Sequence, residues 1–460
     1  MKLKKLSALL LTLLFCVMLF PANVSAADSK GIKLNKTSAE MTVGETLSLT
    51  RTVTGFKKCT VQWFTSDKSI AEVSPGTVTA KKAGTATITV KIKDTDYKAT
   101  CKITVKEKSA SSKSSKTVTY KTASDIVDKI TIGWNLGNTF DSINCTWLKN
   151  DVDYETGWGN PKTTKAMITA VKKAGFNTVR IPVSWGEHMD ANGKINSAWL
   201  DRVQEVVDYA YDNDMYVILN THHDLSWIKL TEKDENTVTK KFAYLWKQIA
   251  ERFKNYDDRL LFEGMNEPRT EGSAKEWTGG TSAEWKVLNK LYASFVETVR
   301  AAGGNNKTRF LIITPYGASS SYSSMAALEI PDDDRIIVSV HAYLPYNMAL
   351  NRYSDDKELA DYGKKEIDNT FSNINKVFLS KGIPVIMDEF GSINKSNTSE
   401  RVTLAKYYLS VAESYNVPCC WWDNGTNCSP SDGEGFGLLN RNTLKWLYPD
   451  IVKALIGSVK

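Results

Sequence analysis

A small all-β sandwich followed by an α/β domain folded as a (β/α)8 TIM barrel is the architecture that the sequence predicts. Three observations carry it. Residues 31–106 are a series of short Thr- and Val-rich segments separated by turn signals. Residues 120–460 alternate short apolar runs with amphipathic stretches, and the polar residues able to do chemistry fall just after those runs. At 460 residues the chain exceeds one ordinary core, and 42% hydrophobic with 24% charged residues is a globular composition.

The chain opens with Lys2, Lys4 and Lys5, then an apolar stretch from Leu6 to Phe20, then Pro21 and the small-residue site Val24-Ser25-Ala26. This predicts a signal peptide over residues 1–26, since the apolar run is too short to span a bilayer and ends in a cleavage site. A secreted, extracellular protein is therefore expected. Losing three lysines and no acids lowers the net charge from +7 to +4. A balance that weak, with acids interspersed, offers no basic stripe and excludes a nucleic-acid partner. Six cysteines remain once Cys16 is removed, and Cys59 with Cys101 is the pair expected to bridge, both lying in the first domain.

Within residues 31–106, strands are expected at Thr46 to Thr52, Val61 to Phe64, Thr77 to Ala80, Thr85 to Ile92 and Ala99 to Val105, with turns at Gly44, Gly55, Pro75-Gly76 and Gly84. The stretches VQWFTSDKSIAEV and GTVTAKKAGTATITVKI resemble the bacterial immunoglobulin-like group 2 domain, with Trp63 as its core tryptophan. Spacer, cell-surface or cell-wall tether and polysaccharide binder are all open to such a domain, and the lack of an aromatic row favours the spacer. Residues 107–119, rich in Ser and Lys without apolar periodicity, read as a flexible linker.

Eight apolar runs follow: Ile132 to Leu136, Thr178 to Pro182, Tyr216 to Asn220, Leu260 to Met265, Phe310 to Ile313, Ile336 to Val340, Pro384 to Met387 and Pro418 to Trp421. Helices are expected between them at Lys162 to Ala174, Ser197 to Asn213, Val238 to Phe253, Ala283 to Ala302 and Ser399 to Tyr415. Periodicity alone also fits a doubly wound sheet. The placement of the polar residues favours the barrel, because barrel enzymes build their sites at the C-terminal ends of the strands. Asn138, Arg180, His222, His223, Asn266, Glu267, His341, Tyr343, Glu389 and Trp422 all fall there.

Glu267 and Glu389 end the fourth and seventh strands and can face each other across a narrow barrel mouth. A carboxyl pair so placed suits glycoside hydrolysis, one donating a proton to the leaving oxygen while the other attacks the anomeric carbon. By strict alternation Glu263 points inward but deeper, as a paired structural carboxylate, and Asp388 faces away from Glu389. The His222-His223-Asp224 run is not expected to hold a metal, since strand neighbours point to opposite faces and no second ligand cluster has zinc-like spacing. No cofactor is expected. Trp147, Trp158, Trp227 and Trp277 sit in loops where they could stack on sugar rings, Trp227 above all because it closely follows the third strand.

GWNLGNTFD (133–141), FNTVRIPVSW (176–185), NTHHD (220–224), LFEGMNEPR (261–269), HAY (341–343), MDEFG (387–391) and WWDNG (421–425) resemble glycoside hydrolase family 5, most of all its bacterial endoglucanases acting on cellulose, mixed-linkage glucan and xyloglucan. The resemblance spans about residues 120 to 458, all seven motifs in order. It implies a retaining double displacement with Glu267 as acid/base and Glu389 as nucleophile. It further implies Asn266 on the sugar 2-hydroxyl, Arg180 and Tyr343 holding Glu389, His222 and His341 orienting the carboxyls, and Trp422 flooring the subsite where the sugar is distorted. Glu389 should be held ionised by Arg180, and Glu267 should keep its proton near neutrality through burial and its negative neighbour. A monomer acting on a β-glucan polymer is expected. A xyloglucanase or β-mannanase on the same barrel is the nearest alternative, and a glycan-binding surface adhesin with an inactive barrel is the alternative from another class.

Overall fold

The computed structural model describes residues 30–106 and 118–459, which form two compact units. The expected signal peptide and nearly all of the expected linker lie outside the described residues. Val118 already belongs to the second unit, its N–H donating to the Asp257 carboxylate at 3.2 Å.

The first unit is all β. Its strands are β1 (Gly31–Leu34), β2 (Ser38–Thr42), β3 (Thr46–Ser48), β4 (Arg51–Thr54), β5 (Val61–Thr65), β6 (Ala71–Ser74), β7 (Thr77–Ala80), β8 (Gly84–Ile92) and β9 (Lys98–Lys106). They pair as a four-stranded sheet β2-β9-β8-β5, a three-stranded sheet β3-β7-β6 and the ribbon β1-β4. Alternation along β8 and β9 buries Ala86, Ile88, Val90, Cys101, Ile103 and Val105. Trp63 is half-buried and packs against both apolar clusters, as expected of the core tryptophan. Two expectations fail. The run Thr46 to Thr52 is not one strand: buried Leu49, whose N–H donates to Gly76 O at 2.7 Å, marks where the chain leaves one sheet for the other. Cys59 and Cys101 are both free. Cys101 pairs through Ile88 with Thr65, at one end of β5, whereas Cys59 precedes Val61 at the other end, so several residues of strand and the whole of β8 separate the thiols.

The second unit is a closed parallel barrel of eight strands: β10 (Ile132–Leu136), β11 (Thr178–Ile181), β12 (Tyr216–Asn220), β13 (Leu260–Glu263), β14 (Leu311–Ile313), β15 (Ile336–His341), β16 (Val385–Phe390) and β17 (Cys419–Asp423). Helices α1 (Ala123–Val127), α2 (Lys165–Ala174), α3 (Ser197–Tyr211), α4 (Glu235–Phe253), α5 (Ser282–Ala301), α6 (Tyr322–Ala326), α7 (Tyr346–Ala349), α8 (Asp361–Val377), α9 (Thr398–Ser414) and α10 (Pro449–Gly457) accompany it. All eight apolar runs of the sequence are strands. They read as continuous apolar runs because every barrel strand is covered on both faces.

Alternate residues separate two environments. Ile132, Trp134, Val179, Ile181, Val217, Leu219, Val338 and Met387 pack outward in the cluster shared with the helices. Ile218, Leu261, Ile312, Ile337, Ile386 and Cys420 point inward, and Ile126 and Val127 of α1 join them to close the barrel's lower end. At Gly133 a Cβ would lie 2.2 Å from Cys420 Sγ, so the inward position beside that thiol admits only glycine. Above this apolar floor the inward positions become polar: Asn135, Arg180, Asn220, Glu263, Ser339, His341 and Asp388, all buried.

His188 gives the barrel wall a titratable weak point. Its ring stacks on Trp199 at 3.7 Å and meets Tyr154 edge-on at 4.8 Å, while neither ring nitrogen finds a hydrogen-bond partner. The Asp151 carboxylate stands 3.9 Å off, too far to compensate, and burial pushes the imidazole pKa down to about 3. The unfolded chain takes up this proton near pH 6.5 and the folded one does not until about pH 3, so this contribution to stability is lost as pH falls through that window. His188→Phe should keep the stacking and remove the loss. Urea unfolding at pH 7 and pH 4.5 should show the variant losing less stability than the native protein, by ~2 to 3 kcal/mol.

Candidate active site

The polar layer is organised by Arg180, whose guanidinium is completely buried. All five of its N–H donors are used. Nε and Nη2 form a fork on Glu263 at 2.7 Å each; Nη1 donates to Glu389 Oε1 at 2.5 Å and to Asn135 Oδ1 at 3.0 Å; Nη2 also donates to Asn266 Oδ1 at 2.7 Å. Asp388 Oδ2 lies 3.5 Å from Nε. Burial opposes the charge on Arg180, but the three carboxylates outweigh it and keep the side chain a cation.

Glu389 accepts from Arg180 on one oxygen and from the Tyr343 hydroxyl, at 2.7 Å, on the other. Burial and then the Glu389 charge push the Tyr343 phenol well above its ordinary range, so it remains a donor. Asn266 has its amide oxygen fixed by Arg180, which leaves its NH2 directed to the cleft that it lines.

Asp388 does not face away as alternation requires. Ile386 points into the barrel and Met387 out, yet Asp388 and Glu389 both contact Arg180 and His341, and Phe390 points out again. The register between β15 and β16 shifts at Ser339/His341, and that between β16 and β17 shifts at Met387/Phe390. One extra residue in β16 thus turns two consecutive carboxylates inward. Asp388 is placed to hold His341 from below, with help from the Ser339 hydroxyl, which donates to it.

His341 lies between acids, its Nε2 3.1 Å from Asp388 Oδ1 and its Nδ1 2.9 Å from Glu267 Oε1 and 3.5 Å from Glu389 Oε2. Burial works against the imidazolium, but Glu389, Asp388 and Glu267 together raise its pKa well above the ordinary value. The same contact runs against the expectation for Glu267. Burial pushes its carboxyl up, yet the His341 hydrogen bond and charge, with Arg269 behind, hold it below the usual range. Burial raises the Glu263 carboxyl, to about 7, against the pull of Arg180.

His222 touches neither Glu267 nor Glu389. Its Nδ1 faces Asn220 Nδ2 at 3.1 Å, and Asn220 in turn donates to Glu263 at 3.2 Å, so its influence passes through two groups. Its ring lies parallel to Trp422, interplanar angle 1°, and Trp422 lines the cleft. A Cβ at Gly137 would sit 2.8 Å from the Trp422 ring, so glycine is what lets the indole lie against that strand end. Asn138, in the left-handed region at φ 53°, and His223 also line the cleft.

His222 and His223 reach the same side because β12 ends at Asn220, so the opposite-faces reasoning against a metal does not apply to them. Their nitrogens do come within 4.8 Å of an Asp141 oxygen. The Asn220 oxygen accepts from Val183 N–H, which turns its NH2 toward His222 Nδ1 and leaves the His222 proton on Nε2. The Asp141 oxygens already take the N–H groups of Asn138 and Thr139. These groups are set up as hydrogen-bonding partners rather than as metal ligands.

Trp227 does not line the cleft. Its Nε1 donates to Asp224 at 2.9 Å and Lys241 lies over its ring at 4.5 Å, so it pins its own loop. Trp147 is likewise outside, whereas Trp158 and Trp277 are in the cleft wall, Trp277 carrying the Arg269 guanidinium 4.1 Å above its ring. Sequence reasoning missed Tyr316, Tyr346, Arg352, Tyr353 and Phe436, which also line this open cleft of about 1220 Å³. They sit in loops where no periodicity marks a side chain's direction.

Comparisons with known proteins identify the family. Residues 142–428 match the family described as cellulase (glycosyl hydrolase family 5). The chain belongs to glycosyl hydrolase family 5. Residues 28–103 match the bacterial Ig-like domain (group 2), which the first unit represents. Within the family, Endoglucanase A of Clostridium longisporum is 49% identical over 344 residues, covering 74% of this chain and 66% of that protein. A solved broad specificity endoglucanase from the same organism superposes with a TM-score of 0.71 at 48% identity, covering 74% of this chain and 99% of that one. Another, from Ruminococcus champanellensis with bound cellotriose, has a TM-score of 0.71 at 46% identity, covering 73% and 98%. The barrel of this family 5 chain is an endoglucanase catalytic domain.

Removing the guanidinium should expose how much rests on it. Arg180→Met leaves Glu263, Asp388 and Glu389 without their shared cation, and urea unfolding at pH 7 should show a loss of ~3 to 5 kcal/mol. The deficit should shrink as pH falls, because in the variant the buried carboxyls take up protons at higher pH than in the native protein.

Proposed function

We propose that the chain is a secreted, retaining endo-β-1,4-glucanase that cleaves internal bonds of cellulose and related β-glucans, with Glu389 as nucleophile and Glu267 as acid/base. The observation that carries this reading is the approach of the two carboxyls: oxygens of Glu267 and Glu389 and a His341 nitrogen lie within 4.8 Å of one another. A gap of about 5 to 5.5 Å suits direct attack by one carboxylate, whereas inversion needs room for a water and about 6.5 to 9.5 Å.

In the first step Glu389, held by Arg180 and Tyr343, attacks the anomeric carbon while a proton passes from Glu267 to the departing glycosidic oxygen. A covalent glycosyl-enzyme results. In the second step Glu267 takes a proton from water, the water oxygen attacks the same carbon, and Glu389 leaves, so the anomeric configuration is retained. The proton needed at Glu267 is supplied across its 2.9 Å contact with His341 when a sugar covers the carboxyl and excludes water. Asn266 offers its NH2 to the sugar 2-hydroxyl, and Trp422 provides the apolar face beneath the ring.

The open cleft, walled by Trp158 and Trp277, suits a polymer entering at mid-chain. A broad specificity endoglucanase among the relatives supports action on several β-glucans, and xyloglucan and mannan remain the polymers to compare. Secretion rests on the signal sequence at residues 1–26, and no described helix is long and apolar enough to cross a membrane. The Ig-like unit serves as a spacer or surface tether.

The mature protein, with Glu267→Ala and Glu389→Ala beside it, should be assayed for new reducing ends on carboxymethyl cellulose, barley β-glucan, xyloglucan and mannan. The native protein should act on the glucans and each variant should fall by ~10³-fold or more. Proton NMR of early product should show the β-anomer first. Activity on mannan alone would overturn the specificity, and binding without turnover by the native protein would leave the adhesin reading.

A further inference from the structure

Lys395 is buried at 3% exposure, in the loop after β16, and its ammonium donates to four backbone carbonyls: Asn347 O at 2.7 Å, Asn351 O at 2.9 Å, Ser354 O at 2.7 Å and Asp356 O at 3.1 Å. An ammonium has three N–H groups, so four acceptors must share them, and what gathers the four oxygens is the charge. Burial lowers the Lys395 pKa, while Asp356 and Asp355 nearby act to keep the proton on. The surrounding segment adds further ties. Lys395 N–H donates to Asn397 Oδ1 and Asn397 Nδ2 to Lys357 O, at 3.1 and 2.8 Å. Ile393 N–H donates to Ala349 O and Asn394 N–H to Gly435 O, each at 2.9 Å. Residues 393–397 thus fasten the loop after β15 on one side and the loop after β17 on the other.

What the first of these loops carries is unusual. Tyr353 is 83% exposed, yet its ring is held by Arg352, whose guanidinium lies 4.8 Å over it and donates to its hydroxyl at 2.8 Å. Both side chains line the cleft, and Glu434 of the loop after β17 lines it with them. A tyrosine left bare on a cleft wall forgoes burial of its own ring, and offers its free face to a ligand.

We infer that Lys395 is a positioning residue for polymer recognition: its ammonium, filling a carbonyl cage as a metal ion would, locks the 346–357 loop so that Arg352 and Tyr353 meet a sugar unit beyond those at the carboxyls. The inference rests on the β-glucan reading of the site. Lys395 touches no reacting group, so its loss should act on substrate affinity and leave the chemical step alone.

The test is kinetics on barley β-glucan for Lys395→Met, Lys395→Ala and Tyr353→Ala, with affinity electrophoresis in β-glucan gels as a measure of binding that needs no turnover. Lys395→Met should raise KM roughly threefold to tenfold with kcat within about twofold. Tyr353→Ala, at an exposed site that cannot unfold the barrel, should do the same. The two changes combined should cost little more than either alone. Methylammonium should restore KM to Lys395→Ala, and sodium chloride at the same ionic strength should not. A fall in kcat with KM unchanged, or native gel retardation by Tyr353→Ala, overturns the inference. If the native protein hydrolyses no glucan, the reading of the active site fails, and gel retardation still decides the role of Lys395.

Discussion

A single cation inside the barrel is the constraint on which the rest of the structure depends. Arg180 occupies the inward position of β11, fully buried, with every N–H committed. A lone guanidinium there would be costly, and so would Glu263, Asp388 or Glu389 alone; together they offset one another's desolvation. The fork on Glu263 fixes the plane of the guanidinium, and that plane fixes where Nη1 and Nη2 aim, at Glu389 and Asn266 respectively. The geometry of the Glu389 carboxyl is therefore inherited from a pair one layer below it. Arg180, His341 and Arg269 stand among four carboxyls, and of these burial raises Glu263 to about 7 against the pull of Arg180.

Where protons sit follows from this balance. His341 is pinned between Asp388 and Glu267 and stays charged; Glu267 is held below the ordinary range as a consequence. For the proposed mechanism, a general acid that rests ionised is no contradiction. The pair Glu267–His341 holds one transferable proton across 2.9 Å, and which partner has it depends on water around the more exposed member. In the proposed mechanism a sugar ring over Glu267 removes that water and penalises its charge. Acid strength is thereby coupled to occupancy of the cleft.

Much of this was legible from the residues. The eight apolar runs became the eight strands, and the groups at their C-terminal ends came together as the site, because a barrel strand buried on both faces leaves a continuous apolar signature that stops where the polar mouth begins. The failures were local. Period-two alternation placed Asp388 on the wrong side, since a bulge in β16 adds a residue and no one-residue irregularity is visible in a composition pattern. Trp227 was drawn to the cleft by its place after β12, but its indole N–H had a nearer acceptor in Asp224. Cys59 and Cys101 share a domain and not a neighbourhood, which only strand register reveals. Tyr353 and Lys395 stood in polar loops without period, where direction is set by hydrogen bonds to carbonyls that the sequence does not name.

Arg180 and Lys395 divide the work of the fold. The interior around Arg180 allows little variation, because altering any carboxyl unbalances the charge of a water-poor layer. The rim has no such restriction: its walls are loops, and a loop tolerates new length and new side chains provided its ends are held. Lys395 holds one such loop through main-chain oxygens alone, so the anchor is indifferent to which side chains the loop presents. A carbonyl cage of this kind lets Arg352 and Tyr353 be exchanged without loosening the wall that bears them. The charged layer is thus fixed from inside the barrel while the cleft wall is held at its rim, with the β16 strand and the loop that follows it joining the two.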